Sequence, residues 1–210
     1  MTKIWIEHPA SAYINGYIRN HEQLGRNTKR QAAEPFGNLN AKPIVYIEDM
    51  LKSERDNNSQ LIMCDFFTIG SDWFMSDKLV NLLVESGCKI ERFEAEIEFD
   101  ENSKRPDVAP PIYSLVNITD KYAAICREKS NLILDKNPGF EGWVDRIKKL
   151  TFVKNADVDH VLWHEDKLHD FMICCCDRLA DAITSKSITG VFFVEAKDYK
   201  AYVEDQNFDF

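Results

Sequence analysis

The sequence predicts an α+β fold: a mixed or antiparallel sheet with packed helices, containing two similar strand–helix–strand units. Three observations carry this reading. Short alternating or apolar runs follow one another across turns, as in "KIERFEAEIEF" (89–99) and "IYSLVNI" (112–118). A helix with both ends marked lies at "SDKLVNLLVESG" (76–87). The order around that helix recurs one hundred residues later, where Asp177, Arg178 and Leu179 repeat Asp77, Lys78 and Leu79. Consecutive strands joined by short turns favour this class over a regular doubly wound sheet.

Taken from the N-terminus, "KIWIEH" (3–8) alternates and reads as a short strand. "ASAYINGYIRNHEQLG" (10–25) reads as a helix interrupted at Gly16. "GRNTKR" (25–30) is a basic patch, and "PFGNLNAKP" (35–43) has loop chemistry. "IVYIED" (44–49) reads as a strand and "LKSERDNNSQ" (51–60) as a polar turn. "LIMCDFF" (61–67) and "DWFM" (72–75) are strand-like.

In the helix that follows, Ser76 or Asp77 serves as N-cap and Gly87 stands where a left-handed C-cap belongs. The next strand points Ile90, Phe93, Ala95, Ile97 and Phe99 inward. "DENSKRPDVAPP" (100–111) is a loop, and "IYSLVNI" is a strand. "GWVDRIKKL" (142–150) sets Trp143, Val144, Ile147 and Leu150 at helical spacing, with an end that also fits a strand. "DHVLWHED" (159–166) is a strand.

The last unit, "ICCCDRLADAITSKSITGVFFVEA" (173–196), lies in register with "WFMSDKLVNLLVESGCKIERFEAE" (73–96). The apolar stripe Val80, Leu82 and Leu83 is matched by Ala180, Ala182 and Ile183. Cys174 and Cys175 then occupy the places of Phe74 and Met75, and Cys176 that of Ser76. Three adjacent cysteines invite a metal or redox reading. The register instead makes them core filler in a buried strand, with Cys176 at a helix start, where a thiol pKa can be lowered.

Hydrophobic residues make up 44% and charged residues 29% of the 210, a globular balance that argues against disorder. The net charge of −9 weighs against a nucleic-acid binder; it suits a basic partner, or simply keeps the protein in solution. The N-terminus shows no basic region before a long apolar run, and no stretch approaches a membrane span, so the expected location is the cytoplasm with no membrane partner. The six cysteines include no CxxC pair, which suits a reducing compartment.

No glycine-rich phosphate loop, nucleophile elbow or HExxH motif occurs. No catalytic residue, cofactor or metal ligand is therefore assigned. His160, His164, His169 and a cysteine make a zinc site conceivable, but their spacing matches no standard module. Asp157 and Asp159 lack the glycine and glutamate of a calcium loop and read as a turn. Arg26, Lys29 and Arg30 suit either phosphate contact or a solvated loop. The densest charge feature is "ERFEAEIEFDE" (91–101). It points to partner contact through Glu94, Glu96, Glu98, Asp100 and Glu101, with Trp163 as an exposed aromatic anchor. A solvated strand face is the alternative. Repulsion among these carboxylates would be relieved by a basic partner.

These pieces resemble the immunity protein family eleven of bacterial polymorphic toxin systems. The matching segments are "CDFFTIGSDWFMSDKLVNLLVESG", "IYSLVNITDKYAAICREKS" and "FMICCCDRLADAITSKSITGVFFVEA". Within them Asp65-Phe66, Ser76-Asp77, Tyr113, Leu115, Asn117, Ser130 and Thr189-Gly190-Val191 with Phe193 fit the family pattern. The chain departs from it at Cys126, where aspartate is frequent, and at Cys175-Cys176, where a hydrophobic-serine pair is frequent. The resemblance implies an immunity-like α+β domain at 61–210, after an N-terminal variable region or subdomain at 1–60. It also implies a cytoplasmic antidote that binds and blocks a cognate protein toxin, encoded nearby, without catalysis. Two alternatives stand beside it: an enzyme or small-ligand protein with a pocket near His160, His164 and Cys176, and an adaptor in a secretion assembly.

Overall fold

Thirteen strands and two nine-residue helices form the described part of the chain, with 43% of it strand and 14% helix. The computed structural model describes residues 1–7, 14–25, 35–50, 63–101, 106, 109–168 and 172–199. The protein is therefore mostly β, and the expected α+β fold of sheet and packed helices is corrected. The reason is local. Among the described residues only 77–85 and 177–185 combine an apolar stripe with helix ends, while alternation and β-bulges hold most of the rest extended.

One sheet has the order β2-β3-β6-β7-β5-β4, built from Ile14–Ile18, Ile44–Met50, Ile90–Phe99, Tyr113–Ile118, Asp72–Ser76 and Phe66–Ile69. All its neighbours are antiparallel except β3 and β6. Its edge strands β2 and β4 approach each other, so the sheet curls into a nearly closed barrel. Inside lie Val45, Ile47, Phe67, Phe74, Tyr113 and Leu115, all buried. Phe67 stacks on Phe74 at 5.4 Å and meets Tyr113 edge-on at 5.1 Å.

The second sheet has the order β13-β1-β12-β11-β8, from Val191–Glu195, Thr2–Glu7, Ile173–Cys176, Leu162–Glu165 and Lys121–Tyr122. A two-stranded hairpin, β9 (Asn131–Leu134) with β10 (Val144–Lys149), completes the strands. Helices α1 (Asp77–Glu85) and α2 (Asp177–Ser185) touch each other. Their apolar faces, including Leu79, Leu83, Leu179 and Ile183, share one core with Trp5, Met75, Val116, Leu162, Ile173 and Cys175.

The hundred-residue echo is topological. Strands β5 and β6 are each antiparallel to β7, so they run parallel with β7 between them, and α1 is the crossover. Strands β12 and β13 flank β1 in the same way, and α2 is their crossover. The registers agree: Phe74 faces Leu115 as Cys174 faces Ile4, and Trp73 faces Val116 as Ile173 faces Trp5. The outer hairpin partners match too, with Phe67 opposite Phe74 and Trp163 opposite Cys174. The middle strand follows the unit in one case and opens the chain in the other.

The interrupted helix expected at 10–25 is not formed, and at 142–150 the strand alternative holds. Of the 10–25 stretch, the described residues 14–25 give strand β2 and a short 3-10 turn at His21–Leu24. Ile14 and Ile18, four apart, suit either period, and the bulge at Asn15/Gly16 brings Gly16 against the Tyr46 carbonyl, where a Cβ would clash. Residues 144–149 form strand β10. Bulges at Val144/Arg146 and Ile147/Lys149 each insert one residue, so three residues there do the work of two. Apolar residues at helical spacing thereby stay on one side of a strand. Of other expectations, the basic residues 26–30 and the stretch 51–60 lie outside the described residues, as does His169. No described helix is long and apolar enough to cross a membrane.

Candidate partner-binding surface

Period-two alternation builds the acidic face. Along β6, Ala95 is buried and Phe93, Ile97 and Phe99 pack against the barrel core. Glu94, Glu96, Glu98 and Asp100 therefore project from the outer surface. Glu94, Glu96 and Glu101 are exposed, whereas Glu98 and Asp100 are half-buried.

Neighbouring strands add residues that the sequence did not single out. Parallel pairing sets Tyr46 opposite Glu98, and antiparallel pairing sets Tyr17 opposite Tyr46. Arg19 Nη1 donates to Glu98 Oε2 at 2.7 Å, and Lys42 pairs with Glu94. The Tyr46 hydroxyl donates to Asp100 Oδ2 at 2.7 Å. That bond to a carboxylate holds the Tyr46 proton, pushing its pKa up to about 12. A groove of about 660 Å³ runs between Tyr17, Tyr46, Glu98 and Glu101. Tyr17 and Arg19 were legible only if 14–18 is read as a strand, because only alternation turns both outward.

Trp163 does not belong to this surface. It is fully buried, beside Cys174, Ile4 and Tyr122, which corrects its expected exposure. It stands where Phe67 stands in the other unit, and both are core residues for the same topological reason.

The residues of the alternative pocket are also dispersed. The His160 Nδ1 lies 2.8 Å from Asp120 Oδ2, and its ring stacks on Tyr122 at 4.1 Å. Asp120 also pairs with Lys89 at 3.0 Å. His164 is buried and stacks on Trp73 at 5.3 Å, on the sheet face opposite Trp163 and His160. Cys174, Cys175 and Cys176 are buried. Burial pushes the Cys174 and Cys175 thiols well above their ordinary pKa of 9.0, and that of Cys88 up to about 12. These thiols fill space and are poor nucleophiles. Among the described residues no group of three or more histidine, cysteine, aspartate and glutamate side chains is arranged to hold a metal.

Several of the short motifs behind the family resemblance, at Asp65-Phe66, Ser76 and Thr189-Gly190, meet in space. The Asp65 carboxylate accepts from Ser76 Oγ at 2.6 Å and from Thr189 N at 2.9 Å, and Asp65 N donates to Thr189 Oγ1 at 2.9 Å. Ser76 Oγ accepts from Leu79 N at 3.3 Å as the cap of α1. The Tyr113 hydroxyl donates to the Cys64 carbonyl at 2.6 Å. Gly190, at φ +88°, lets its backbone lie against Phe66, whose N–H donates to the Thr189 carbonyl at 3.1 Å. Asn117 and the Phe36 N–H both donate to Glu91. Ser130 Oγ exchanges two hydrogen bonds with Thr151. Through Thr189 and Gly190, next to β13, and Asp65 and Phe66, at β4, the motif residues thus tie the second sheet to the barrel.

No curated protein matches the chain. A family model matches residues 10–198, nearly its whole length. By that match the chain belongs to the Immunity protein family (Imm11), which points to a toxin-immunity role.

Proposed function

We propose that this protein neutralises a cognate toxin in the cytoplasm by binding it and covering its working surface, without chemistry of its own. The partner is a protein encoded nearby that presents a basic face. The observation that carries this reading is the outer face of β6: Glu94, Glu96, Glu98 and Asp100 in a row, with Glu101 at its end and two tyrosines beside it. Clustered carboxylates steer a basic partner and set its register. Tyrosine and arginine are the residue types that anchor protein interfaces.

The test is co-expression with the toxin gene from the same neighbourhood. Wild-type protein is expected to restore growth. A variant with lysine at Glu94, Glu96, Glu98 and Asp100 is expected to fold yet fail to protect. Full protection by that variant, with an intact complex in pull-down, would remove this face from the interaction.

A further inference from the structure

The acidic face already holds one guanidinium in a defined setting. Arg19 places its guanidinium carbon 5.7 Å from the centre of the Tyr46 ring while pairing with Glu98 at 2.7 Å. Tyr17 leans on the same ring, with centres 5.4 Å apart and planes inclined by 43°. The bond from the Tyr46 hydroxyl to Asp100 holds that ring against the acidic strand. A planar cation can lie on an aromatic face and pair with a carboxylate at the same time, and a compact ammonium cannot do both equally well.

The site is larger than its resident. The groove measures about 660 Å³ and is lined, among the described residues, by the carboxylates of Glu98, Asp100 and Glu101 and by one cation, Arg19. Tyr17 is 46% exposed, which leaves part of the residue accessible to a second planar group.

We propose that this groove is an arginine subsite: an arginine of the partner enters beside Arg19, stacks on the tyrosines and shares the carboxylates. The proposal rests on the reading that this face meets a basic toxin. It adds that the contact selects guanidinium over ammonium, and that Arg19 is a competing internal cation.

The test uses the full chain with two fluorescein-labelled peptides of equal charge, hexa-arginine and hexa-lysine, titrated at low ionic strength by fluorescence anisotropy. Hexa-arginine is expected to bind at least about threefold more tightly, and Tyr17→Ala to abolish most of that ratio. Arg19→Ala is expected to tighten hexa-arginine by about threefold, because it removes the resident cation. If Tyr17→Ala fails to fold by circular dichroism, Tyr17→Leu replaces the ring with an apolar side chain and serves instead. An arginine-to-lysine ratio unchanged by the loss of Tyr17, or weaker binding in Arg19→Ala, overturns the proposal.

The outcomes separate the two claims. If charge reversal on β6 abolishes protection but the peptides bind alike, the toxin-blocking face stands and the subsite falls. If the arginine preference holds but charge reversal leaves protection intact, the subsite is real and the face serves another basic partner.

Discussion

One buried carboxylate, Glu165, and one half-buried, Asp65, show how single side chains govern stability here. Glu165 is 6% exposed, and its carboxylate accepts from the N–H groups of Ala124 and Ile125 at 3.0 and 3.1 Å. Burial outweighs those two bonds and raises its pKa from 4.5 to about 7. Between these values the folded chain holds a proton that the unfolded chain has released, so stability falls as pH rises from about 4.5 to about 7. The whole span corresponds to at most about 3 kcal/mol. Glu165→Gln cannot titrate, and urea denaturation across this range should show its slope flattened relative to wild type. An unchanged slope would assign the titration to another group. Asp65 acts through geometry instead, receiving Ser76, Thr189 N and Thr189 Oγ1 at once. Asp65→Ala leaves those donors unmatched, and denaturant unfolding should show a loss of about 2–3 kcal/mol. The cysteine run yielded to register alone, since the matching positions are Phe74 and Met75. Trp163 misled because a tryptophan beside charged residues looks exposed until its neighbours in the sheet are known.

The two helices are near copies that differ at the cap. Ser76 and Cys176 share extended backbone, at φ −63°, ψ 155° and φ −74°, ψ 153°. Ser76 caps Leu79 N, whereas Cys176 makes no side-chain cap. Ser76→Ala should cost about 1 kcal/mol by thermal or chemical denaturation. Cys176→Ser should be neutral or stabilise by up to about 1 kcal/mol, because a hydroxyl there can reach Leu179 N as Ser76 reaches Leu79 N. A loss greater than about 1 kcal/mol would show that thiol packing outweighs the cap. The helix ends were readable because capping is short-range chemistry. Strand β10 was not, because its two bulges shift the pleat so that Val144, Ile147 and Leu150 imitate a helical stripe. Strand β2 was hidden for a related reason: its bulge falls at Gly16, in a stretch too short to separate the two periods.

The molecule is held together where the barrel meets the second sheet. The edge strand β4 has little room for a foreign strand: its Phe66 N–H meets the Thr189 carbonyl, and its Thr68 N–H meets the Glu7 carboxylate at 3.2 Å. Gly190 makes that contact possible, since a Cβ there would collide with the Phe66 carbonyl and the backbone is left-handed at φ +88°. Gly190→Ala is expected to cost more than about 3 kcal/mol and to expose both cores together in hydrogen exchange. Protection lost in one sheet alone would mean that the sheets unfold independently.

Local chemistry was enough to find both helices, most strands and the acidic alternation, while the burial of the thiols came from their register with Phe74 and Met75. The helices, the strands, the alternation and each short motif of the family pattern depend on residues a few positions apart. The closure of one sheet into a barrel, the insertion of β1 and β7 between parallel strands, and the meeting of Tyr17, Arg19 and Tyr46 with Glu98 depend on pairings between distant segments. A one-residue bulge changes which face a side chain takes, and only the hydrogen-bonded partner strand reveals it.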